Sequence, residues 1–191
     1  MSSISITNTE TLYRGKSLLQ RITYEQKTPD GKSQTLEKEV FKRSNSTAIL
    51  LYDPERQKIL LTEQIRIPVL LSQKDGHLLE ACAGLIDEGE LPEHSIIREV
   101  EEETGYRISH IKKIYEAYSS PGSYMECIHY FLGEYSPDLK VSEGGGLKHE
   151  GEDVKNIELS FQEARELLSA GKIHDSKTII LLQYAIIQKV I

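Results

Sequence analysis

The alternation of hydrophobic and polar positions predicts that the first 45 residues form β-strands. The runs "LLQRITYEQKT" and "QTLEKEVFKR" flank "PDGKS", whose proline and Asp-Gly pair are typical of a tight turn. Both runs carry many charges and few large apolar residues, so a hairpin built from them alone would be marginally stable. We therefore expect an N-terminal β segment over residues 1–45 that packs on the following domain or on a second subunit.

Residues 46–191 contain longer apolar runs, which are typical of strands buried on both faces. The runs "TAILLYD" and "KILLTEQIRI" predict a second hairpin around "PERQ", and "HLLEACAG" predicts one strand that ends at Gly84. Three further runs, "RISHIKKIYEAY", "MECIHYFLGEY" and "VKNIEL", also have strand character. Between the last two lies "SEGGGLKHEGED", a glycine-rich acidic stretch that we expect to be a mobile loop.

Three stretches have helical signals. Residues 92–104 start with Pro92 and end before Gly105, which suit a first turn and a C′ position. A second helix starts at Ser160, with Glu163 as its capping-box partner, and a final helix starts near Asp175. Strands on both sides of one helix, followed by two helices, predict a layered α/β (α+β) domain over residues 46–191 rather than a doubly wound parallel sheet.

The predicted helix over residues 92–104 places carboxylates along one edge. Glu99 lies three residues before Glu102 and four before Glu103, and Arg98 can pair with Glu102 four residues later. A solvated acidic face is one interpretation, because charge runs on helices are common. A divalent-metal site is the other, because Mg²⁺ prefers oxygen ligands from a few carboxylates together with phosphate oxygens.

Composition and charge narrow the class of protein. The chain has 191 residues, a formal net charge of -7 and 38% hydrophobic residues, so one sizeable domain with an appendage fits. The negative charge argues against nucleic acid as a partner. The two cysteines have no metal-binding spacing, the apolar runs are too short for a membrane span, and the N-terminus lacks a secretory pattern. We expect a cytoplasmic protein.

The acidic helix and its flanks resemble the Nudix family. Counted from Gly84, the residues Glu90, Arg98-Glu99-Val100, Glu102-Glu103 and Gly105-Tyr106 stand at every fixed spacing of the Nudix box. The segments "LLTEQIRIPV", "LLEACAGLIDEGE", "SSPGSYME" and "GGGLKHEGED" resemble ADP-ribose and sugar-nucleotide pyrophosphatases, and Tyr106 resembles the sugar-nucleotide branch. The resemblance implies a Nudix α/β/α sandwich with a mixed central sheet, preceded by an antiparallel β-hairpin segment.

The resemblance also implies roles for individual residues. The metal ligands would be the Ala83 carbonyl, Glu99, Glu102, Glu103 and Glu152, which hold two or three Mg²⁺ or Mn²⁺ ions. Glu150 takes the place of the general base, and Glu103 is the other catalytic residue. The structural residues of the box would be Gly84, Glu90, Arg98 and Gly105. The substrate-binding residues would be Arg66, Glu80, Glu126 and Lys177, with Arg66 at the phosphates or bound to Glu80, Glu126 at the terminal sugar and Lys177 at a phosphate.

Within the family, the "GGG" loop, "DSKT" and "NSTAILLYD" most resemble GDP-mannose pyrophosphatases. This implies Mg²⁺-dependent hydrolysis of a nucleoside diphosphate sugar to a nucleoside monophosphate and a sugar 1-phosphate. UDP-glucose or ADP-ribose as substrate is the alternative, and a non-catalytic nucleotide-sugar sensor is the second alternative. Such relatives are homodimers that exchange N-terminal strands and stack the base on an aromatic residue. The matching stretch "RGKSLLQR" has none, which leaves Tyr13 or Tyr24 for that role.

Overall fold

The chain folds into two compact units. The computed structural model describes residues 4–191, apart from the side chain of Glu150. One unit contains the residues before Ser46 together with Ala117–Ile128, and the other contains Ser46–Glu116 and His129–Ile191. Residues 117–128 thus belong with the N-terminal segment, a long-range association that no local sequence pattern indicates.

The first unit is built on a three-stranded antiparallel sheet in the order β1-β2-β3. Its strands are β1 (Ile4–Arg14), β2 (Leu18–Lys27) and β3 (Ser33–Lys42). Residues 117–128 attach to β3 at Phe41, whose N–H donates to the Ser123 carbonyl at 2.7 Å and whose carbonyl accepts from the Met125 N–H at 2.9 Å. The Phe41 and Tyr124 rings stack with their centroids 4.9 Å apart.

The second unit contains a seven-stranded sheet, which confirms the predicted α/β (α+β) class with a central sheet. The path β10-β5-β4-β9-β8 forms its backbone, while β6 pairs with β5 and β7 pairs with β4. The strands are β4 (Ser46–Asp53), β5 (Lys58–Ile65), β6 (His77–Glu80), β7 (Ala83–Leu85), β8 (Ile111–Tyr118), β9 (Cys127–Glu134) and β10 (Lys155–Ser160). The last two residues of β8 and the first two of β9 are assigned to the first unit.

The single strand predicted over residues 77–84 is wrong, because the chain forms two strands there. β6 pairs with the second half of β5, and β7 pairs with the first half of β4. β4 and β5 contact each other only near their turn, through Leu51–Asp53 and Lys58–Leu60. The chain therefore changes partner strands at residues 81 and 82, and this choice depends on distant segments.

Four α-helices complete the second unit. They are α1 (Ile67–Ser72), α2 (Pro92–Thr104), α3 (Phe161–Ser169) and α4 (Ser176–Ile187). The bounds of α2 agree with the prediction, and α3 has the predicted capping box between Ser160 and Glu163. The strand predicted through Ile67 is wrong, because β5 ends at Ile65 and α1 follows. Pro68 in the first turn of α1 is the local signal for that helix.

The helices cover both faces of the sheet. Ile49 and Leu51 of β4 share a core cluster with Ile96 and Val100 of α2. Side chains alternate along a strand, so Leu50 points to the opposite face, and it too is fully buried. α4 contacts β4, and its buried leucines are not part of the α2 cluster, which places α4 on that opposite face.

Two smaller findings concern the ends of elements. Residues 107–110 lie outside β8, so the strand predicted to start at Arg107 is four residues too long at its beginning. Among the described residues, no helix combines the length and the apolar character needed to cross a membrane.

Candidate active site

Helix α2 carries the predicted carboxylates, and its ends are defined by local chemistry. Pro92 occupies the first turn, and Gly105 ends the helix in the left-handed conformation at φ 79°. A side chain at Gly105 would also overlap the carbonyl of Ser142. Glu99, Glu102 and Glu103 therefore project from one well-defined helix next to the glycine-rich loop.

Arg98 connects the carboxylates of the box. Its Nη1 donates to Glu99 Oε1 at 2.9 Å and to Glu102 Oε2 at 3.1 Å, so the predicted pairing with Glu102 is confirmed. Its Nε and Nη2 donate to the two oxygens of Glu90 at 3.2 and 3.0 Å, and Nη2 also reaches the Leu85 carbonyl. The hydrogen bonds from Arg98 to Glu90 lower the pKa of Glu90, against the opposite effect of burial. The guanidinium ties the loop before α2 to the helix.

Glu103 is a buried carboxylate that lacks full pairing. Its residue exposure is 3%, and its Oε2 has no hydrogen-bond partner among the described residues. Burial raises its pKa to about 8, opposed by an interaction with the buried Cys82 thiol and reinforced by Glu99 and Glu80. An unpaired buried carboxylate oxygen can accept a partner that does not belong to the chain, such as a cation. The sequence pattern gave no indication that Cys82 would lie there.

Glu99 lies against Gly84 in a space that only glycine leaves open. A methyl group at Gly84 would overlap the Glu99 carboxylate. Burial raises the pKa of Glu99 to about 7, against the Arg98 charge and with smaller contributions from Glu102 and Glu152. The carboxylates of α2 and Glu152 thus repel one another at close range.

The glycine-rich loop is fastened to the C-terminal end of α2. Gly145 N–H donates to the Glu103 carbonyl at 2.8 Å, and Gly146 N–H donates to the Glu102 carbonyl at 3.1 Å. These carbonyls would otherwise lack partners at the helix end. Residues 144 to 146 all have positive φ. The first half of the loop is therefore hydrogen-bonded to the end of the helix, while the mobility expected of the loop stays a prediction.

The second half of the loop holds the remaining predicted carboxylates. Glu152 Oε2 accepts the Leu147 N–H at 2.8 Å, which turns the loop back on itself. Glu150 lies in a short 3₁₀ turn, Lys148–Glu150, and its side chain lies outside the described residues. The structure thus places Glu152 close enough to influence Glu99, while the role of Glu150 stays a prediction.

A chain of alternating charges lies next to this helix. Arg66 Nε donates to Glu80 Oε1 at 2.7 Å, Lys177 Nζ lies 3.5 Å from Glu80 Oε2, and Lys177 Nζ donates to Asp175 Oδ1 at 2.6 Å. Burial lowers and the Glu80 bond raises the pKa of Arg66, with a net increase. We call Arg66, Glu80, Lys177 and Asp175 the charged chain. The sequence suggested the Arg66–Glu80 contact, but Asp175 only as the approximate start of the final helix.

Most of the predicted side chains that the structure describes lie together around α2 and the charged chain, but Glu126 does not. Glu126 belongs to the first unit, where its carboxylate accepts the Ser119 hydroxyl at 2.9 Å. Among the described side chains, no three from histidine, cysteine, aspartate and glutamate already converge as a cation site. Arg98 accounts for part of this, because its guanidinium lies between Glu99 and Glu102.

Comparison with known proteins gives consistent matches. Residues 42–181 match the family described as NUDIX domain. The chain is 42% identical over 168 residues to the GDP-mannose pyrophosphatase of Cronobacter sakazakii (strain ATCC BAA-894), covering 87% of this chain and 86% of the relative. The enzymes of the same name from Yersinia pestis (strain Pestoides F) and Escherichia coli O9:H4 (strain HS) are 42% and 40% identical, over 87% of this chain and 83% and 86% of theirs.

Proposed function

Because this chain belongs to the NUDIX family, we propose that it is a divalent-metal-dependent enzyme that hydrolyses GDP-mannose to GMP and mannose 1-phosphate. That it is a Nudix hydrolase follows from the family match and from relatives named GDP-mannose pyrophosphatase. The metal requirement and the preferred sugar nucleotide are the proposed parts. The observation that carries the metal requirement is the buried Glu103 oxygen without a partner.

The donor set of the site fits a hard cation such as Mg²⁺ or Mn²⁺. It consists of oxygens, one of them without a hydrogen-bond partner among the described residues, and Gly84 leaves the room that the Glu99 carboxylate occupies. We assign the Ala83 carbonyl, Glu99, Glu102, Glu103 and Glu152 as ligands of two or three ions. When bound, such ions offset the negative charge of a diphosphate and lower the pKa of a bound water. Arg98 would then keep Glu90 as its partner.

The protein's own groups bind and orient the substrate. Arg66 donates to Glu80 through Nε, and its side chain is 39% exposed, so we assign its guanidinium to a phosphate of the substrate. Lys177 supplies a second cation. Glu80 is 1% exposed, so we assign it to holding these two cations rather than to the substrate itself. Glu126 remains proposed for the sugar hydroxyls, and Glu150 for accepting the proton of the attacking water.

A substrate panel tests the proposal. The protein is incubated with Mg²⁺ and GDP-mannose, UDP-glucose, ADP-glucose or ADP-ribose, and nucleoside monophosphates are quantified by anion-exchange chromatography. We expect the highest kcat/KM for GDP-mannose. A preference for UDP-glucose or ADP-ribose would overturn the assigned substrate, while absence of turnover across the panel, with retained binding of a sugar nucleotide, would indicate a sensor.

A further inference from the structure

The charged chain has its anions buried and its cations partly open to solvent. The side chains of Glu80 and Asp175 are 2% and 7% exposed, whereas those of Lys177 and Arg66 are 20% and 39% exposed. Buried carboxylates of this kind require paired cations. The buried carboxylates therefore balance the charges of Lys177 and Arg66, while the solvent-exposed parts of these two side chains can contact an anionic substrate.

Asp175 divides its two oxygens between different tasks. Oδ1 accepts Lys177 Nζ at 2.6 Å. Oδ2 accepts both the backbone N–H of Thr178, at 2.9 Å, and the hydroxyl of Thr178, at 2.7 Å. The bond from the Thr178 N–H caps α4, and the bond from the Thr178 hydroxyl fixes the direction of that hydroxyl proton.

The fixed Thr178 hydroxyl serves the backbone at the change of strand partners. Ala81 lies between β6 and β7, and its N–H donates to Thr178 Oγ1 at 2.7 Å. Thr62 Oγ1 binds the neighbouring Glu80 carbonyl at 3.2 Å, and the Cys82 carbonyl accepts the Ile49 N–H at 3.0 Å. The backbone of each of the three residues Glu80, Ala81 and Cys82 is thus hydrogen-bonded to an element distant in sequence. Ala83 follows these residues directly.

We propose that Asp175 is a positioning residue of the active site, which holds Lys177 for the substrate's diphosphate and, through Thr178, fixes the backbone that leads to Ala83. This inference rests on the proposed function. Asparagine or serine caps a helix about as well as aspartate, so capping alone does not require an acid here. The bond to Lys177 does require one, because an amide nitrogen or a hydroxyl proton cannot neutralise an ammonium group.

The substitution Asp175→Asn separates these tasks. Asparagine keeps an acceptor for the Thr178 N–H, so we expect a melting temperature close to wild type. We expect KM for GDP-mannose to rise about tenfold or more, because a hydrogen bond to a charged group is lost, with a smaller change in kcat. If Asp175→Asn does not fold, Asp175→Ser provides the same test. An unchanged KM in a folded variant would overturn the assignment.

A double-mutant cycle shows whether Asp175 acts through Lys177. Lys177→Met should raise KM as much as Asp175→Asn, and the double variant should show no further increase. If the two effects multiply, the residues act independently and the proposal is wrong. Ser160→Ala is the matched control, because it removes the cap of α3 and should lower stability while leaving KM unchanged. An equal rise in KM in this control would also contradict the proposal.

A measurement without metal or substrate tests the backbone part separately. Thr178→Val removes the acceptor of the Ala81 N–H, and Thr178→Ser keeps it. In Thr178→Val, amide hydrogen exchange measured by NMR should accelerate at Ala81 more than at any other element of the structure. In Thr178→Ser, exchange at Ala81 should stay near wild type. Equal exchange in both variants would overturn the positioning role. If wild type hydrolyses no sugar nucleotide, the proposed function fails by itself, and this exchange experiment still decides the backbone role.

Discussion

At the scale of single residues, the site is a set of carboxylates, of which one arginine pairs with some and not with others. Arg98 serves Glu90, Glu99 and Glu102, but Glu103 remains with an unpaired buried oxygen. Helical spacing predicts which carboxylates are neighbours, because positions three and four apart are fixed by helix geometry. It cannot predict that Glu103 is the buried one with Cys82 beside it, because that depends on how α2 packs on the sheet.

The substitution Glu103→Gln tests the importance of this residue. We expect loss of hydrolysis, by about 100-fold or more, because a cation ligand is removed. Without divalent ions the variant should melt close to wild type at pH 7, because burial raises the pKa of Glu103 to about 8 and glutamine then replaces a largely uncharged group. Activity assays and thermal melts in a chelator provide the two measurements. Preserved turnover would show that Glu103 is not a principal ligand.

His129 provides a pH prediction away from the carboxylates. Burial lowers its pKa below the usual 6.5, as does Lys113, against the opposite influence of Glu116 and Glu93. The unfolded chain therefore binds a proton at His129 more readily than the folded chain. The free energy of unfolding should decrease as pH falls below about 6.5, towards the lowered folded-state value.

Urea unfolding of wild type and His129→Gln at pH 7.5 and pH 5.5 measures this contribution. The variant should lose less stability between the two pH values than wild type, because it lacks this titrating group. The difference between the proteins cancels the contributions of all other titrating groups to first order. A larger loss in the variant would contradict the assignment.

At the scale of elements, local signals predicted the helices better than the strand boundaries. The Pro92 and Gly105 signals gave the bounds of α2, and the Ser160–Glu163 capping box gave the start of α3. The break between β6 and β7 and the turn into α1 were missed. A change of strand partner leaves no periodic signal, and the apolar run before Pro68 is compatible with both a strand and a helix.

The glycine loop is the element whose conformation the site most depends on. Gly144 has φ 67°, and a side chain there would overlap the Glu103 carbonyl, whereas Gly171 has φ 65° with open space around it. Gly171→Ala should cost about 1–2 kcal/mol from the left-handed backbone alone. Gly144→Ala should cost more, because the overlapping atom is helix backbone that cannot move aside. Urea unfolding of the two variants compares these costs, and equal values would contradict the close packing.

At the scale of the whole molecule, the N-terminal segment exposes an apolar edge strand on which a second subunit could pack. The exposed side chains of β1 include Ile4, Ile6 and Tyr13, with 60%, 69% and 63% exposure, and β1 is an edge strand of its sheet among the described residues. Apolar side chains on an edge strand favour association. The prediction of a homodimer that exchanges N-terminal strands therefore keeps its physical basis.

Sedimentation velocity at micromolar concentration measures the oligomeric state. We expect a dimer, and we expect Ile4→Lys combined with Ile6→Lys to shift the population towards monomer, because a charged edge strand opposes pairing. Leu71→Lys is a suitable control, because it changes an exposed apolar residue of α1 in the other unit. A monomeric wild type would contradict the prediction.

The most direct test of the central claim is ³¹P NMR of GDP-mannose incubated with the protein, with Mg²⁺ in one sample and excess chelator in the other. We expect the two diphosphate resonances to disappear only in the Mg²⁺ sample and to be replaced by those of GMP and mannose 1-phosphate. Persistence of the diphosphate with Mg²⁺, or equal hydrolysis in the chelator, would contradict a divalent-metal-dependent pyrophosphatase.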